Sequence, residues 1–340
     1  MSAEIPSGAM RFNSDSQKLE YWNGSAWFQV HTATPNLGDS GDREPGPRGI
    51  TGGANNASIN NVLNYVTISS TGDAVDFGDC GFTATERREG CASSTRGIIA
   101  GGYRSPAPTT AYNNIEFITI ASTGNAQDFG DLTNNSKAGA TLSNSTRGIH
   151  FIGNSYPSIT NIINYVTISS TGNANDFGDT SANFQESTAT ANTTRGLYFQ
   201  GIEDGQPAGV NTIEYVTIAT LGNTQDFGDV SNTNNGSTAG TSFANPTRAI
   251  LGGMYLEYTR IESIQINSFG TGVFFGDLND SKFFRASMNS PTRGIFAGGR
   301  NNTNAMQYIN ISTQGNAVDF GDLTQDLAYH AGFSNAHGGL

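Results

Sequence analysis

Charge is scarce in this chain. Only 14 % of its 340 residues are Asp, Glu, Lys or Arg, and 17 basic residues face 29 acidic ones, for a net charge of −12. Phosphate recognition needs clustered Lys and Arg, and the densest basic spot, Arg87-Arg88, is flanked by Glu86 and Glu89. Nucleic acid and anionic membrane surfaces are therefore not expected as partners, and the acidity is assigned to solubility. Cysteine is scarcer still. Cys80 and Cys91 are too few for a disulfide scaffold or a cysteine-based metal site. Four histidines, His31, His150, His330 and His337, show no metal-ligand spacing, so no metal and no cofactor is expected. No apolar run approaches the ~20 residues of a membrane span, so no membrane insertion is expected. Residues 1–8 lack the basic and apolar segments of a secretory signal. These absences together predict a protein made in a cytoplasm.

What the chain has in excess is turn chemistry. Gly alone supplies 43 residues, and Asn, Ser and Thr fill much of the remainder. Phe, Tyr and Trp still make up 10 %, unlike a disordered chain. Short strands joined by many polar turns fit this mixture.

Internal repetition dominates. A turn followed by Arg-Gly and an apolar run occurs at Pro47-Arg48-Gly49-Ile50, Thr95-Arg96-Gly97-Ile98, Thr146-Arg147-Gly148-Ile149, Thr194-Arg195-Gly196-Leu197, Thr247-Arg248-Ala249-Ile250 and Thr292-Arg293-Gly294-Ile295. The arginines lie 48, 51, 48, 53 and 45 residues apart. Between them stands Asp-Phe-Gly-Asp, ending at Asp79, Asp131, Asp179, Asp229 and Asp322, with Phe274-Phe275-Gly276-Asp277 as the fifth copy. In the second unit, strands A to D are read over residues 96–102, 115–121, 126–132 and 137–142. Residues 115–121 show the β-branched alternation of a half-buried strand, and no segment has a sustained helical period. Four antiparallel strands per ~50 residues make the blade of a propeller, and stacked blades bury one another's faces. The fold expected is therefore all-β: a six-bladed β-propeller over residues 37–340 with an N-terminal β-hairpin module and linker in residues 1–36. Blades are expected near 48–95, 96–146, 147–194, 195–247, 248–292 and 293–340, closing as whole units. The segment Leu37-Gly38-Asp39 is a faint further echo of the repeat.

The repeat resembles kelch-type propellers, whose blades carry an apolar strand ending in Gly-Gly and an aromatic on each of the next two strands. Gly101-Gly102, Phe117 and Phe129 fit, as do Gly298-Gly299, Tyr308 and Phe320, whereas Gly153-Asn154 and Gly201-Ile202 depart from the double glycine. The resemblance speaks to fold, because propellers host many functions.

The B–C and D–A turns are nearly uniform, while the A–B loops vary in length and content. Variable loops on a rigid scaffold are where binding usually resides, which nominates Tyr103, Arg104, Tyr112, Tyr156, Glu203, Asp204, Tyr255, Tyr258 and Arg300. The recurrent Arg48, Arg96, Arg147, Arg195, Arg248 and Arg293 and the recurrent Asp79, Asp131, Asp179, Asp229, Asp277 and Asp322 are expected to form one structural Arg–carboxylate pair per blade. Catalysis is not expected. Asp-Phe-Gly lacks the remaining kinase motifs, and no nucleophile elbow, arginine triad or other symmetry-breaking polar constellation is seen. Cys80 and Cys91 flank the C–D connection, where they either face each other as small apolar residues or form a bridge.

Both tryptophans lie near the N-terminus. Phe12, Tyr21, Trp22, Trp27 and Phe28 surround an Asn23-Gly24 hairpin signal. About twenty residues cannot bury so much aromatic surface alone, so these five are expected to contact another surface. Arg11-Phe12-Asn13 followed by Leu19 to Trp27 resembles a short β module of structural proteins in tailed bacteriophages, notably those of cyanobacteria and other marine hosts, and the propeller repeat resembles repeats in such proteins. The resemblance implies a virion component of the tail-fibre or host-adhesion apparatus. It would be multicopy or homo-oligomeric, joined to other virion proteins by the module and facing a host surface glycan or protein. The alternative is a free-standing lectin-like or scaffolding propeller.

Overall fold

The computed structural model describes residues 5–13, 18–29, 46–53, 61–82, 87–104, 110–206, 208–231, 238–301 and 303–340. The linker from 30 to 45, with Leu37-Gly38-Asp39, lies outside them. The chain divides into two compact units, Met1–Gly46 and Pro47–Leu340. No helix occurs among the described residues.

The first unit is a three-stranded antiparallel sheet of Met10–Asn13, Lys18–Trp22 and Trp27–Gln29. Asn23 starts its second turn: Oδ1 accepts the N–H groups of Ser25 and Ala26 at 2.9 and 2.8 Å, and Gly24 supplies the positive φ of 101°.

The second unit contains six four-stranded antiparallel paths, each in the order D–A–B–C. The sheet of Arg147 is typical, with Ala140–Ser143, Arg147–Phe151, Ile162–Thr167 and Asn175–Asp179. Its D strand is the last strand of the preceding sequence repeat. The sheets are thus one strand out of phase with the boundaries expected from the sequence. Strand C does not fold back on D; it crosses to the next sheet, because D pairs with the A strand that follows it through a tight turn. In the second repeat the strands run over Arg96–Ala100, Thr110–Thr119, Gln127–Ser136 and Ala140–Ser143.

This phase shift leaves the first sheet with no preceding repeat to supply its D strand, and the C-terminus supplies it. Ala331–Ser334 pairs antiparallel with Arg48–Gly52, Ala331 opposite Gly52 and Ser334 opposite Gly49. The expected closure by whole units is therefore corrected: the sheet of Arg48 joins both ends of the unit. The turn is completed the same way. Asn144 Oδ1 accepts Arg147 N–H at 2.9 Å within one hairpin, and Asn335 Oδ1 accepts Arg48 N–H at 2.7 Å across 287 residues.

Each sheet is fastened to the next by contacts that recur six times and include the step from the sixth sheet to the first. An apolar cluster fills each junction. Ile50, Leu63 and Phe77 meet Ile99, Ile118 and Ile120, and at the sixth-to-first junction Ile295, Met306 and Phe320 meet Val66 and Ile68. The glycine after the repeat arginine lets these sheets approach. A Cβ on Gly49 would come within 2.7 Å of Met288, and one on Gly97 would overlap Phe333. The fifth copy carries Ala249 instead, and the equivalent position of the preceding D strand is Thr190, smaller than Phe333, Met288 or Leu142.

Asp-Phe-Gly-Asp stitches the outer strand to the following B–C turn. Gly124 N–H donates to Phe77 O and Ala126 N–H to Asp79 O, both at 2.8 Å, while Asp79 N–H donates to Asn125 Oδ1 at 3.0 Å. At the last junction Gly72 N–H donates to Phe320 O and Ala74 N–H to Asp322 O. Outer edges that would otherwise template foreign strands are occupied in this way.

The expected Arg–Asp pair is corrected here. Among the described residues no ion pair joins Arg48, Arg96, Arg147, Arg195, Arg248 or Arg293 to Asp79, Asp131, Asp179, Asp229, Asp277 or Asp322. Each guanidinium instead reaches the next sheet and donates through Nη1 to a backbone carbonyl: Arg48 to Ile120, Arg96 to Ile168, Arg147 to Ile218, Arg195 to Ile266, Arg248 to Ile311 and Arg293 to Ile68. Five stack on the B-strand aromatic of their own sheet, Arg147 over Tyr165 at 4.6 Å for example. The fifth sheet has Ser263 at that place, and Arg248 lies over Phe275 at 5.9 Å. A carbonyl below an aromatic face satisfies the cation without burying a second charge, which would carry its own desolvation cost.

Replacing Arg147 by Ala is expected to destabilise the second unit by about 2 kcal/mol, from one charge-assisted hydrogen bond and one stacking contact. Asp179→Asn, whose backbone but not side chain is used, should stay within about 0.5 kcal/mol. Thermal unfolding of both variants distinguishes this arrangement from Arg–Asp pairing, which would make the two losses similar.

Candidate functional site

Where each C-to-D crossing enters its D strand, the chain passes through a residue in the left-handed region. These are Arg87, Ala138, Glu186, Ala239, Phe284 and Tyr329, with φ between 54° and 63°. None is glycine, so each costs on the order of 1 kcal/mol. Backbone hydrogen bonds offset the cost by linking them in series. Arg87 N–H donates to Tyr329 O at 2.6 Å, Tyr329 to Phe284 at 3.2 Å, Phe284 to Ala239 at 3.1 Å, Ala239 to Glu186 at 2.9 Å and Glu186 to Ala138 at 2.6 Å. On the remaining step, Gly139 N–H donates to Glu89 Oε1 at 2.6 Å. All six line one end of a cavity of about 180 Å³ between the D strands. Small residues such as Gly90, Thr141, Ser242 and Ser287 form its walls. His337 lies at the other end, where its Nε2–H donates to Ala92 O at 2.7 Å and its Nδ1 accepts Gly339 N–H at 3.1 Å.

The backbone of this rim is nearly six-fold; its side chains are not. Arg87 Nη1 meets Glu186 Oε1 at 2.6 Å. The same guanidinium stands 5.0 Å from the Phe284 ring centre and 5.2 Å from that of Tyr329, two rings themselves 4.3 Å apart. From Phe284 the aromatic contacts run outward to Phe283 at 5.1 Å, then to Tyr255 at 5.3 Å and Tyr258 at 5.4 Å, with Arg300 over Phe283 at 5.2 Å. A second group forms where Lys137 lies over Tyr103 at 4.2 Å and Tyr156 at 5.2 Å.

The structure thus gathers Tyr255, Tyr258 and Arg300 into one group and Tyr103 and Tyr156 into another. The described contacts do not join Arg104, Tyr112, Glu203 or Asp204 to either. Arg104 pairs with Thr110 and Tyr112 with Ser136 as backbone partners. Glu203 lies opposite Phe184, and Asp204 N–H donates to Asn183 O. Sequence reasoning missed Arg87, Glu186, Phe283, Phe284 and Tyr329. A signal was present. Arg87, Ala138, Glu186, Ala239 and Phe284 each stand nine residues before a repeat arginine, so the repeat itself lines up the column.

A second missed column sits in the B strands: Asn64, Glu116, Asn164, Glu214, Glu262 and Gln307, all buried. Most pin the start of a neighbouring C-to-D crossing. Glu116 Oε1 accepts Gly81 N–H at 2.6 Å, Glu262 Oε2 accepts Ser231 N–H at 2.9 Å, and Asn64 Oδ1 accepts from Thr324. Arg88 forms a buried pair with Glu116 at 2.7 Å. His150 is paired as well, its Nδ1 3.3 Å from Glu89 Oε2. Burial pushes the Glu89 carboxyl above the usual carboxylate range, against the hydrogen bonds from His150 and Gly139. Cys80 and Cys91 are free thiols in separate apolar clusters, and burial pushes both up to about 12. Among the described residues no group of three or more His, Cys, Asp or Glu could hold a metal ion.

In the first unit the five aromatics divide between two faces. Met10 lies opposite Tyr21, Tyr21 opposite Phe28, and Phe12 opposite Leu19. These five share one face and are exposed, Phe12 by 66 % and Met10 by 60 %. Trp22 and Trp27 pack together on the reverse at 5.5 Å, where Arg11 lies over Trp27 at 4.2 Å and pairs with Glu20 at 2.9 Å. Hydrogen bonds from Asn13 and Arg11 hold the Glu20 carboxyl below its ordinary range. The exposed apolar face is therefore Met10, Phe12, Leu19, Tyr21 and Phe28, and the tryptophans belong to the opposite face.

No protein-family model matches the chain, and no curated protein matches it.

His330, beside the rim, is buried with neither ring nitrogen hydrogen-bonded to a described residue. Burial, with Arg285 nearby, pushes it down to about 3. The folded state therefore refuses a proton that the unfolded chain accepts near pH 6.5. The resulting stability is fully present above pH 6.5 and is lost progressively as pH falls toward 3. His330→Leu should flatten that part of a thermal-midpoint-against-pH curve; an unchanged slope between pH 6.5 and 4 would contradict it.

Proposed function

We propose that the six sheets are the blades of a six-bladed β-propeller, and that the chain is a binding component of a tailed-bacteriophage virion, in the tail-fibre or host-adhesion apparatus. The first unit attaches or assembles the protein, and the rim of the second faces a host surface or a neighbouring virion protein. The observation that carries this reading is the exposed five-residue apolar face of the N-terminal sheet. A module of this size presents Met10, Phe12, Leu19, Tyr21 and Phe28 to solvent unless another surface covers them. The resemblance of the same segment to phage structural modules points to what such a surface is for.

Recurrent contacts joining every sheet to the next support the propeller. In that reading the D strands surround the cavity, and the residues that depart from the repeat gather at its rim. Binding rather than catalysis fits the polar groups. The Glu89–His150 pair is buried, its side chains 8 % and 1 % exposed, so a substrate would not reach it without rearrangement.

The purified chain is expected to form a homo-oligomer. Phe12→Ser combined with Phe28→Ser should return it to a monomer whose second unit keeps its thermal midpoint. Mass measurement in solution reads the outcome. A monomeric unsubstituted chain would overturn self-assembly through this face.

A further inference from the structure

The rim side chains form a pattern with a chemical meaning. Arg87 and Glu186 cancel in charge at the cavity mouth, and Arg300 stands further out, over Phe283. Together Arg87 and Glu186 present planar donors and acceptors side by side. Arg87 Nε and Nη2, and Glu186 Oε2, hydrogen-bond to no described residue, and the two side chains remain 24 % and 17 % exposed. Beside them runs the aromatic series from Tyr329 through Phe284 and Phe283 to Tyr255 and Tyr258. Tyr255 is exposed, and Tyr258 and Phe284 are half-buried. Ala138 and Ala239, at equivalent places on the rim, leave room where the other four positions carry long side chains.

A ligand matching this site is flat, apolar on one face and rich in neutral groups that both donate and accept at its edge. Pyranose rings have that character. Their C–H face stacks on an aromatic ring, and adjacent hydroxyls bridge a guanidinium and a carboxylate. A carboxylated sugar would bring its charge against Glu186, and a basic peptide would bring its charge against Arg87. Resting on the adhesion reading above, we propose that the rim centred on Arg87 and Glu186, extended by Phe284, Tyr255 and Tyr258, binds a neutral saccharide chain. The charged pair holds one sugar at the cavity mouth, and the outer tyrosines carry the next.

The test uses the full chain at monovalent density over immobilised linear hexamers of glucose, mannose and galactose, with a hexagalacturonate and a pool of random-sequence peptides alongside. At least one neutral hexamer should bind saturably. Arg87→Met and, separately, Tyr255→Ala should each weaken it about tenfold. Val75→Ser, exposed on an outer strand away from the rim, should leave it unchanged. Tyr255 is exposed, so its variant remains informative if Arg87→Met impairs folding. Absence of binding to every neutral hexamer, binding confined to the galacturonate or the peptides, or indifference to Tyr255→Ala would overturn the proposal. The oligomeric state of the same sample is read separately, so failure of the sugar site and failure of the attachment reading are distinguishable.

Discussion

The second unit depends on one backbone pairing, that of Ala331–Ser334 with Arg48–Gly52. Each of the other five sheets takes its D strand from the repeat before it, so the first sheet must take its own from the last repeat. Without that strand the A strand of the first sheet would expose a row of unpaired backbone groups, and the junction between the first and second sheets would lose Phe333 and Ala331. The pairing also determines where the other recurrent contacts can form. Arg293 reaches Ile68, Gly72 N–H reaches Phe320 O, and Asn64 receives Thr324 because the two ends of the chain are held in register.

Near-exact repetition makes departures from it informative. The backbone needs a left-handed residue at each entry to a D strand, and it takes Arg, Ala, Glu, Ala, Phe and Tyr there. Selection for folding alone would favour glycine or asparagine at such positions. Long charged and aromatic side chains stand at four of the six instead, and the proposed reading assigns them to binding. The Glu89–His150 pair belongs to the same sector. It replaces one backbone link in the series and buries a carboxylate beside an imidazole.

Much of the architecture was legible in the sequence. The spacing of Arg48 to Arg293 gave six units, and the alternation at residues 115–121 gave the central B strand. The strand order was not legible, because a D strand of four residues carries no sign of whether it pairs backward or forward. Neither was the partner of the repeated arginine. Equal numbers of Arg and Asp at fixed offsets suggest pairing, but the carbonyl that Arg147 uses belongs to Ile218, in a segment that looks like ordinary strand. Of the residues nominated from the variable A–B segments, Tyr255, Tyr258 and Arg300 come together around Phe283. Arg87, Glu186 and Tyr329 were missed because they lie far apart in sequence. Only the sheet order brings three C-to-D crossings to one rim.

Amide hydrogen exchange across Arg48–Gly52 tests the closure most directly. In the full chain these amides should be as protected as those of Arg147–Phe151, and removal of residues 331–340 should release protection in Arg48–Gly52 first and furthest. Fast exchange of Arg48–Gly52 in the full chain, or protection there that survives the truncation, would contradict the account.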